Sequence, residues 1–249
     1  MSLELIRTTG SHLPIIAIDG PAGAGKSTAA RLLASQLGFI LIDTGAIYRS
    51  LAMQAMEAGI GLDEEVALAD LCRSLKFQFG SLENTHHLDK NGLNIPRLHV
   101  YCNSVDVTDA IRSPELGIAA SNVSKLPMVR KALVEVQRKF GDQGGIVMEG
   151  RDIGTVIFPK AQIKFFLTAS LESRAQRRLE ELQVAGVEKA LEQVIKETKM
   201  RDDQDRNREV APLKQAEDAL LIDSTDCSLP EVVGKMNRVV RDFLKNADS

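Results

Sequence analysis

Short apolar runs alternate with amphipathic stretches along the chain, and this order predicts strands separated by helices. Five aliphatic runs are typical of buried strands: residues 15–18, 39–42, 146–148, 163–167 and 220–222. Segments with helical spacing or helix-start signals lie between and after them: residues 28–37, 46–57, 63–75, the stretches opening at 113 and 126, 171–184 and 230–244. The repeated strand–helix order predicts an α/β fold with a central parallel sheet flanked by helices.

The pattern changes between residues 76 and 102, where apolar and polar residues alternate one by one. Residues 76–79 and 98–102 alternate in this way, and Asn91-Gly92 between them is a strong hairpin-turn signal. Because the strand–helix order resumes afterwards, we expect a small antiparallel β module inserted into the α/β chain.

A phosphate-binding motif follows the first predicted strand. Residues 20–27 read G-P-A-G-A-G-K-S and match G-x-x-x-x-G-K-[ST] at every fixed position. Its glycines allow backbone N–H groups to surround an anion, Lys26 supplies a charge for the β- and γ-phosphates, and Ser27 offers a hydroxyl to Mg²⁺. The helix that follows adds its positive N-terminal end. The residues predicted here to bind nucleotide phosphates are Gly20, Pro21, Ala22, Gly23, Ala24, Gly25, Lys26, Ser27 and Thr28.

Polar residues also follow two other predicted strands, at the carboxyl edge where parallel sheets bind ligands. Asp43-Thr44 come after the second strand, with Arg49 one helical turn further on, and residues 149–152 (Glu-Gly-Arg-Asp) follow the strand at 146–148. Asp43 or Thr44 could simply cap the next helix. A cap does not account for Arg49.

Two arginine-rich segments lie in the last third of the chain. The predicted helix 171–184 places three arginines on one face, because their spacings are three and four: Arg174, Arg177 and Arg178. Alternatively, these arginines form solvent-exposed ion pairs with glutamates of the same helix and have no binding role. Residues 201–208 (RDDQDRNR) have the composition of a solvated charged loop, and they lie where a mobile lid would close over bound phosphates.

Composition narrows the class of function. The 249 residues carry a net charge of −3, no Trp and two Tyr, so we expect no nucleic-acid partner. The three cysteines have no paired spacing, which argues against a disulfide framework or a zinc site, and His86-His87 are a weak metal candidate. No signal peptide or membrane-spanning stretch is evident, and we expect a soluble, cytoplasmic protein without a membrane partner.

Four segments together resemble the bacterial cytidylate kinases. They are GPAGAGKST (20–28), DTGAIYR (43–49), GRDIGTV (150–156) and RDDQDRNR (201–208). The phosphate loop is shared by many enzymes, but the last two motifs are specific, and the resemblance runs over nearly the whole chain. Thr44 stands where many relatives carry serine, and it retains the hydroxyl.

The resemblance implies a three-layer P-loop kinase fold with an inserted β module and phosphoryl transfer from ATP to CMP or dCMP with Mg²⁺. It implies that Arg49, Arg151 and Arg208 hold the acceptor phosphate and join Lys26 as the catalytic residues. It assigns Ser121, Arg130 and Asp152 to cytosine, Arg201 and Asp205 to the sugar, and Thr44 to the substrate site. Arg174 and Arg178 lie in the lid region and are candidate ATP contacts. Ser27 is the expected Mg²⁺ ligand, with Glu149 or Asp152 acting through water.

It further implies a single domain, residues 13–245, after an N-terminal extension 1–12. The core takes 13–45, 141–170 and 211–245, the monophosphate-binding region 46–140, and the lid 171–210. A monomer is expected. Three alternatives stay open: a kinase for UMP, AMP or a metabolite hydroxyl, a GTP-dependent switch, and a protein with an inactive phosphate loop. The switch is disfavoured because the chain has no N-K-x-D motif.

Overall fold

The computed structural model describes residues 13–80, 88, 92–184 and 186–247. Its centre is a parallel sheet of five strands: β1 (Ile15–Asp19), β2 (Ile40–Asp43), β6 (Ile146–Gly150), β7 (Ile163–Thr168) and β8 (Leu220–Asp223). Their order across the sheet is β2-β6-β1-β7-β8. In the pairing register, Asp19 at the end of β1 lies opposite Gly150 on one side and Phe166 on the other. β1 and β6 therefore end level and β7 continues to Thr168, so the segments that follow these strands share one edge of the sheet.

Eight α-helices accompany the sheet in the described part of the chain. They are α1 (Lys26–Leu37), α2 (Thr44–Glu57), α3 (Glu65–Ser74), α4 (Pro114–Val123), α5 (Pro127–Arg138), α6 (Leu171–Val184), α7 (Leu191–Asn207) and α8 (Leu229–Ala247). The predicted α/β fold with a flanked parallel sheet is confirmed. Ser113 caps α4 by accepting a hydrogen bond from the Leu116 N–H, and proline opens both α4 and α5, as their sequences predict.

One apolar core joins the sheet, most helices and the inserted module. Ile16 and Ile18 of β1 are completely buried, since a central parallel strand is covered on both faces. Helix α8 packs against α1, and Val233 and Met236 are among the buried residues of α8. This rigid core fixes the carboxyl edge of the sheet, on which the polar motifs stand.

The inserted β module is a second, antiparallel sheet of β3 (Phe77–Phe79), β4 (Val100–Cys102) and β5 (Val105–Asp106). The alternation around residues 76–79 and 98–102 thus marks real strands, and the predicted module is confirmed. The predicted turn at Asn91-Gly92 includes Asn91, which lies outside the described residues.

The prediction of a loop over residues 201–208 is wrong, because α7 continues to Asn207 and Arg208 forms its C-cap. The segment contains no glycine or proline, and Val194, Thr198 and Asp202 repeat every four residues on its buried face. The charged residues of this segment therefore project from a helix.

Two further expectations concern the chain ends and the membrane. The N-terminal extension 1–12 and His86-His87 lie outside the described residues. None of the helices in the described part of the chain has the length and apolar character required to cross a membrane.

Candidate active site

The phosphate loop lies between β1 and α1, as its motif predicts. Gly20, Gly23 and Gly25 have φ angles of 146°, 75° and 85°, which side-chain-bearing residues rarely adopt. A Cβ at Gly20 would lie 1.9 Å from the Leu167 carbonyl oxygen of β7. The loop therefore needs its glycines both for its turns and for its close approach to the neighbouring strand.

Three consecutive carbonyls of this loop are held from outside. The Arg174 guanidinium donates to the Ala22 oxygen at 3.3 Å, and Arg177 donates to the Gly23 oxygen at 3.4 Å. The Ser224 hydroxyl, beyond the end of β8, donates to the Ala24 oxygen at 3.1 Å. Carbonyls bound on one side leave the N–H groups of the loop free to face a ligand on the other.

Lys26 is buried at the first position of α1. Its ammonium group donates to the Pro21 oxygen at 2.7 Å, and the residue is only 4% exposed. Burial, reinforced by the nearby Arg151 cation, lowers the pKa of Lys26 to about 7. The carboxylates of Glu149, Asp19 and Asp205 act in the opposite direction, and a phosphate beside Lys26 would likewise favour the charged ammonium group.

Arg174 and Arg178, both candidate ATP contacts, have different surroundings. Arg174 is 4% exposed, donates to the Ala169 oxygen and forms a buried ion pair with Asp202 of α7 at 2.7 Å. Arg178 pairs with Glu181 and is half exposed. The three arginines of α6 therefore diverge, and a contact between Arg174 or Arg178 and ATP stays a prediction.

At the end of β2, Asp43 caps helix α2 and also contacts Arg49. Its carboxylate accepts the Ala46 N–H at 3.0 Å, which caps α2, and it also accepts from Arg49 at 3.0 Å. Burial alone would raise the pKa of Asp43, but Arg49 and Arg31 hold it below its usual range. The Thr44 hydroxyl donates to the Glu149 carbonyl at 2.7 Å and ties the start of α2 to β6.

A second polar cluster joins α5 to the turn after β6. Arg130, 3% exposed, donates to the Asp152 carboxylate at 2.5 Å and to the Ser124 carbonyl at 3.1 Å. Its guanidinium also lies over the Tyr48 ring, 5.9 Å from the centroid. Ser124 directly follows α4, the helix that carries Ser121, so the predicted cytosine residues come from neighbouring elements.

The predicted phosphate and sugar residues meet at the end of α7. Arg151 donates to the Asp205 carboxylate at 2.9 Å. Arg208 lies 3.7 Å from Asp152 and 3.6 Å from Asp205, and so bridges both carboxylates. Arg201 of the same helix lies within electrostatic reach of Arg151 and Asp205. Residues that are about 50 positions apart in the sequence therefore form one charged cluster.

Sequence reasoning missed Asp19, the last residue of β1. Its buried carboxylate accepts the backbone N–H groups of Ile153 and Gly154 at 2.8 and 2.7 Å. Burial raises its pKa to about 6, despite those two hydrogen bonds. Asp19 thereby fixes the turn that carries Arg151 and Asp152 against the strand that carries the phosphate loop. The sequence signal for this role is the position of Asp19 directly after the apolar run 15–18.

The residues near Ser27 fit a magnesium ion that is also bound by phosphate oxygens. One carboxylate oxygen of Glu149 is buried without a hydrogen-bond partner. Burial raises the pKa of Glu149 and Asp43 adds to the shift, whereas the Ser27 side chain acts on this carboxyl group and lowers its pKa. No cluster of three or more metal-ligating His, Cys, Asp or Glu residues occurs among the described residues. Mg²⁺ commonly binds through one or two protein oxygens plus phosphates and water.

Comparison with known proteins shows which family this chain resembles. The cytidylate kinase family model matches residues 16–242. A cytidylate kinase of Geobacter sp. (strain M21) is 48% identical over 246 residues, covering 99% of this chain and 99% of the relative. The cytidylate kinases of Pasteurella multocida (strain Pm70) and Vibrio cholerae serotype O1 are 44% and 46% identical, covering 94% and 90% of this chain and 98% and 94% of their own lengths. With a phosphate loop, an inserted β module and matching motifs at the same sheet edge, the chain belongs to the cytidylate kinase family.

Proposed function

We propose that this enzyme transfers the γ-phosphoryl group of ATP to CMP or dCMP, giving ADP and CDP or dCDP, with Mg²⁺ and under a closing lid. The observation that carries this function is the meeting of two sites at one sheet edge. A phosphate loop with a buried lysine lies beside a cluster of arginines and carboxylates suited to a nucleoside monophosphate.

On the donor side, residues 20–28 hold the phosphates of ATP, with Lys26 between the β- and γ-phosphates. The loop is supported by Arg174, Arg177 and Ser224 through its carbonyls, which favours a fixed array of N–H donors. Because little rearrangement is needed when phosphate arrives, this array stabilises developing charge efficiently. Arg174 and Arg178 approach ATP when α6 and α7 move toward it.

On the acceptor side, arginines suit the doubly charged phosphate, because a guanidinium can donate two parallel hydrogen bonds. Arg49, Arg151 and Arg208 hold the phosphate. Ser121, Arg130 and Asp152 contact cytosine, and Thr44 supports the site through Glu149. Arg201 and Asp205 contact the sugar, where a carboxylate is a natural acceptor for a hydroxyl.

In this proposal Ser27 would hold Mg²⁺ through its hydroxyl, and Glu149 would help to hold it through water. The choice of Glu149 over Asp152 rests on their contacts: Asp152 is engaged by Arg130 and Arg208, whereas one oxygen of Glu149 has no partner. When bound, Mg²⁺ neutralises phosphate charge and orients the transferred group.

Catalysis by these residues is mainly positioning and charge stabilisation, since the transition state of phosphoryl transfer is loose and spreads charge over the equatorial oxygens. The acceptor phosphate is largely dianionic near pH 7, so no general base is required. Lys26 and the arginines therefore supply most of the rate enhancement. Closure of residues 171–210 excludes water, which would otherwise intercept the phosphoryl group.

The direct test is a coupled assay of ADP release by the purified enzyme with CMP, dCMP, UMP and AMP as acceptors. Rapid turnover with CMP and dCMP, and slow turnover with UMP and AMP, is the expected result. A preference for UMP or AMP would assign a different acceptor. ADP release independent of any acceptor would contradict kinase function. We further propose a monomer without nucleic-acid or membrane partners, to be checked by its mass in solution.

A further inference from the structure

A cavity of about 320 Å³ lies beside the phosphate loop, and no residue assigned to the base or sugar lines it. Ser27 and Arg49 form part of its wall, so it opens onto the reaction site. Two further arginines line it, Arg31 of α1 and Arg112. The remaining wall includes the buried apolar residues Leu98, Val100 and Ile111, of which Val100 lies in β4. Two carboxylates line it as well, Asp43, which pairs with Arg49, and Glu181, which pairs with Arg178. The cavity therefore combines an apolar floor with a polar wall in which three arginines face two carboxylates that already have partners.

Carboxylates act on Arg31 and Arg112 without forming ion pairs with them in the described part of the chain: Asp43 and Glu149 lie within electrostatic reach of Arg31, and Asp109 within reach of Arg112. Arg49 pairs with Asp43, but no ion pair to Arg31 or Arg112 occurs among residues 13–80, 88, 92–184 and 186–247. The Nε atoms of Arg31 and Arg49 are buried and have no hydrogen-bond partner. The pKa of Arg112 is lowered by partial burial and by the nearby Arg31, Arg97 and Arg49 cations. Cations gathered in this way at a cavity are stabilised by an anion between them.

The local structure holds Arg112 at the cavity. A single 3₁₀ turn, Ala110–Arg112, joins the β module to α4, and the Ile111 side chain beside it is 2% exposed. The Ile111 and Arg112 N–H groups donate to the Val107 and Asp109 carbonyls at 3.0 and 3.1 Å. The backbone that presents Arg112 is thus ordered by hydrogen bonds on one side and by a buried side chain on the other.

We propose that Arg112 and Arg31 bind the phosphate group of the acceptor nucleotide together with Arg49, an inference that rests on the proposed function. The inserted β module then has a catalytic purpose, because it supplies one wall of the phosphate site and ends in one of its ligands. Arg31 and Arg112 recognise phosphate and not the base, since neither lies with Ser121, Arg130 or Asp152.

The test compares Arg112→Gln and Arg31→Gln with wild type, using CMP and cytidine as probes. We expect each variant to raise KM and Kd for CMP by about 10-fold, to leave Kd for cytidine unchanged, and to leave KM for ATP within about 2-fold. KM for UMP should rise by the same factor as KM for CMP, because the two nucleotides have the same phosphate group. Arg112→Lys should recover part of the affinity for CMP, because it keeps a charge without the two-pronged contact. Arg73→Gln, on the exposed face of α3, is the matched control and should behave as wild type.

Unchanged CMP binding in both variants would overturn the inference. Equal losses of affinity for CMP and cytidine would also overturn it, because they would indicate a structural role for the two arginines. A rise confined to KM for ATP would overturn it as well, because it would place the phosphoryl donor in the cavity. Wild-type activity separates the two proposals: if the wild type does not phosphorylate CMP, the proposed function itself fails.

Discussion

At the scale of single residues, Lys26 is held in position before any phosphate is bound. Its contact with the Pro21 carbonyl is one that a phosphate oxygen can replace. We expect Lys26→Ala to lower kcat roughly 10²-fold or more, because a charge contact to the transition state is lost. The measurement is ADP release at saturating ATP and CMP, with the exposed Lys160→Ala as control. Near wild-type turnover in Lys26→Ala would refute the assignment of the phosphate loop.

Asp19 allows a prediction about pH. Its pKa of about 6 in the folded protein exceeds the ordinary value of 3.8, so the folded state binds this proton more tightly than the unfolded state does. Stability from this group is therefore present at low pH and is lost as pH rises from about 4 to 6. Relative to Asp19→Asn, which does not titrate, the wild-type free energy of unfolding should fall by up to about 3 kcal/mol over that range.

Urea unfolding of both proteins at several pH values measures this difference, because titrations elsewhere cancel between them. A difference that does not change with pH would show that the Asp19 pKa is ordinary. The same variant should raise KM for CMP, since Asp19 holds the turn that carries Arg151 and Asp152.

Not all of these residues could be found from the sequence. The phosphate loop is local, and its spacing alone identifies Lys26 and Ser27. The supports of the loop are not local: Ser224 is 200 residues from Ala24, and no spacing rule connects them. Asp19 likewise contacts backbone groups more than 130 positions away. Such contacts depend on which strands become neighbours, which only the folded sheet determines.

At the scale of elements, the helices α6 and α7 are joined by a small apolar cluster and by one buried ion pair. Arg174 and Asp202 are 4% and 6% exposed, and Arg174 also supports the phosphate loop. Asp202→Ala leaves a buried cation without its partner, and we expect a loss of roughly 3–5 kcal/mol in unfolding free energy. Asp202→Asn should lose less, since it retains an acceptor. Urea unfolding measures both, and a loss below about 1 kcal/mol in Asp202→Ala would contradict a structural role for the pair.

The same elements should change their dynamics on binding. We expect amide hydrogens in residues 174–208 to exchange faster without nucleotides and to become protected when ATP and CMP are both bound. Strands β1 and β6 provide the internal control, because their amides lie in the central sheet. Hydrogen exchange followed by mass spectrometry resolves these segments. Equal exchange across residues 174–208 in the free and bound enzyme would argue against a lid.

The element pattern was largely predictable, and the exceptions have physical reasons. Apolar runs mark all five sheet strands. The central strands β1, β6 and β7 are apolar because they are covered on both faces, whereas the edge strand β8 keeps an apolar run although Leu220 and Leu221 are about half exposed. The α7 end was mistaken for a loop, since its charge hides a narrow stripe of Val194, Thr198 and Asp202. The buried face of this helix includes Asp202, and the sequence does not show that Asp202 is buried, because its partner Arg174 lies on another helix.

At the scale of the whole molecule, the proposed base site is assembled from distant parts. Ser121 comes from α4, Arg130 from α5 and Asp152 from the turn after β6, which Asp19 ties to the phosphate loop. Cytosine presents an amino donor at position 4 and an acceptor at N3, whereas uracil reverses both. A site with Arg130 as donor and with Ser121 and Asp152 able to accept is therefore matched to cytosine.

Because buried polar groups that are mispaired cost binding energy, we expect the wild type to prefer CMP over UMP. Arg130→Met should lower kcat/KM for CMP by about 10-fold or more, equivalent to roughly 1.4 kcal/mol, and should affect UMP less. The preference ratio should then narrow. The measurement is kcat/KM for both acceptors in both proteins at saturating ATP and Mg²⁺. Thermal unfolding of the variant reports any general loss of stability from breaking its pair with Asp152, which would affect both acceptors alike. Equal losses for CMP and UMP would mean that Arg130 supports the fold or the phosphate site and does not read the base.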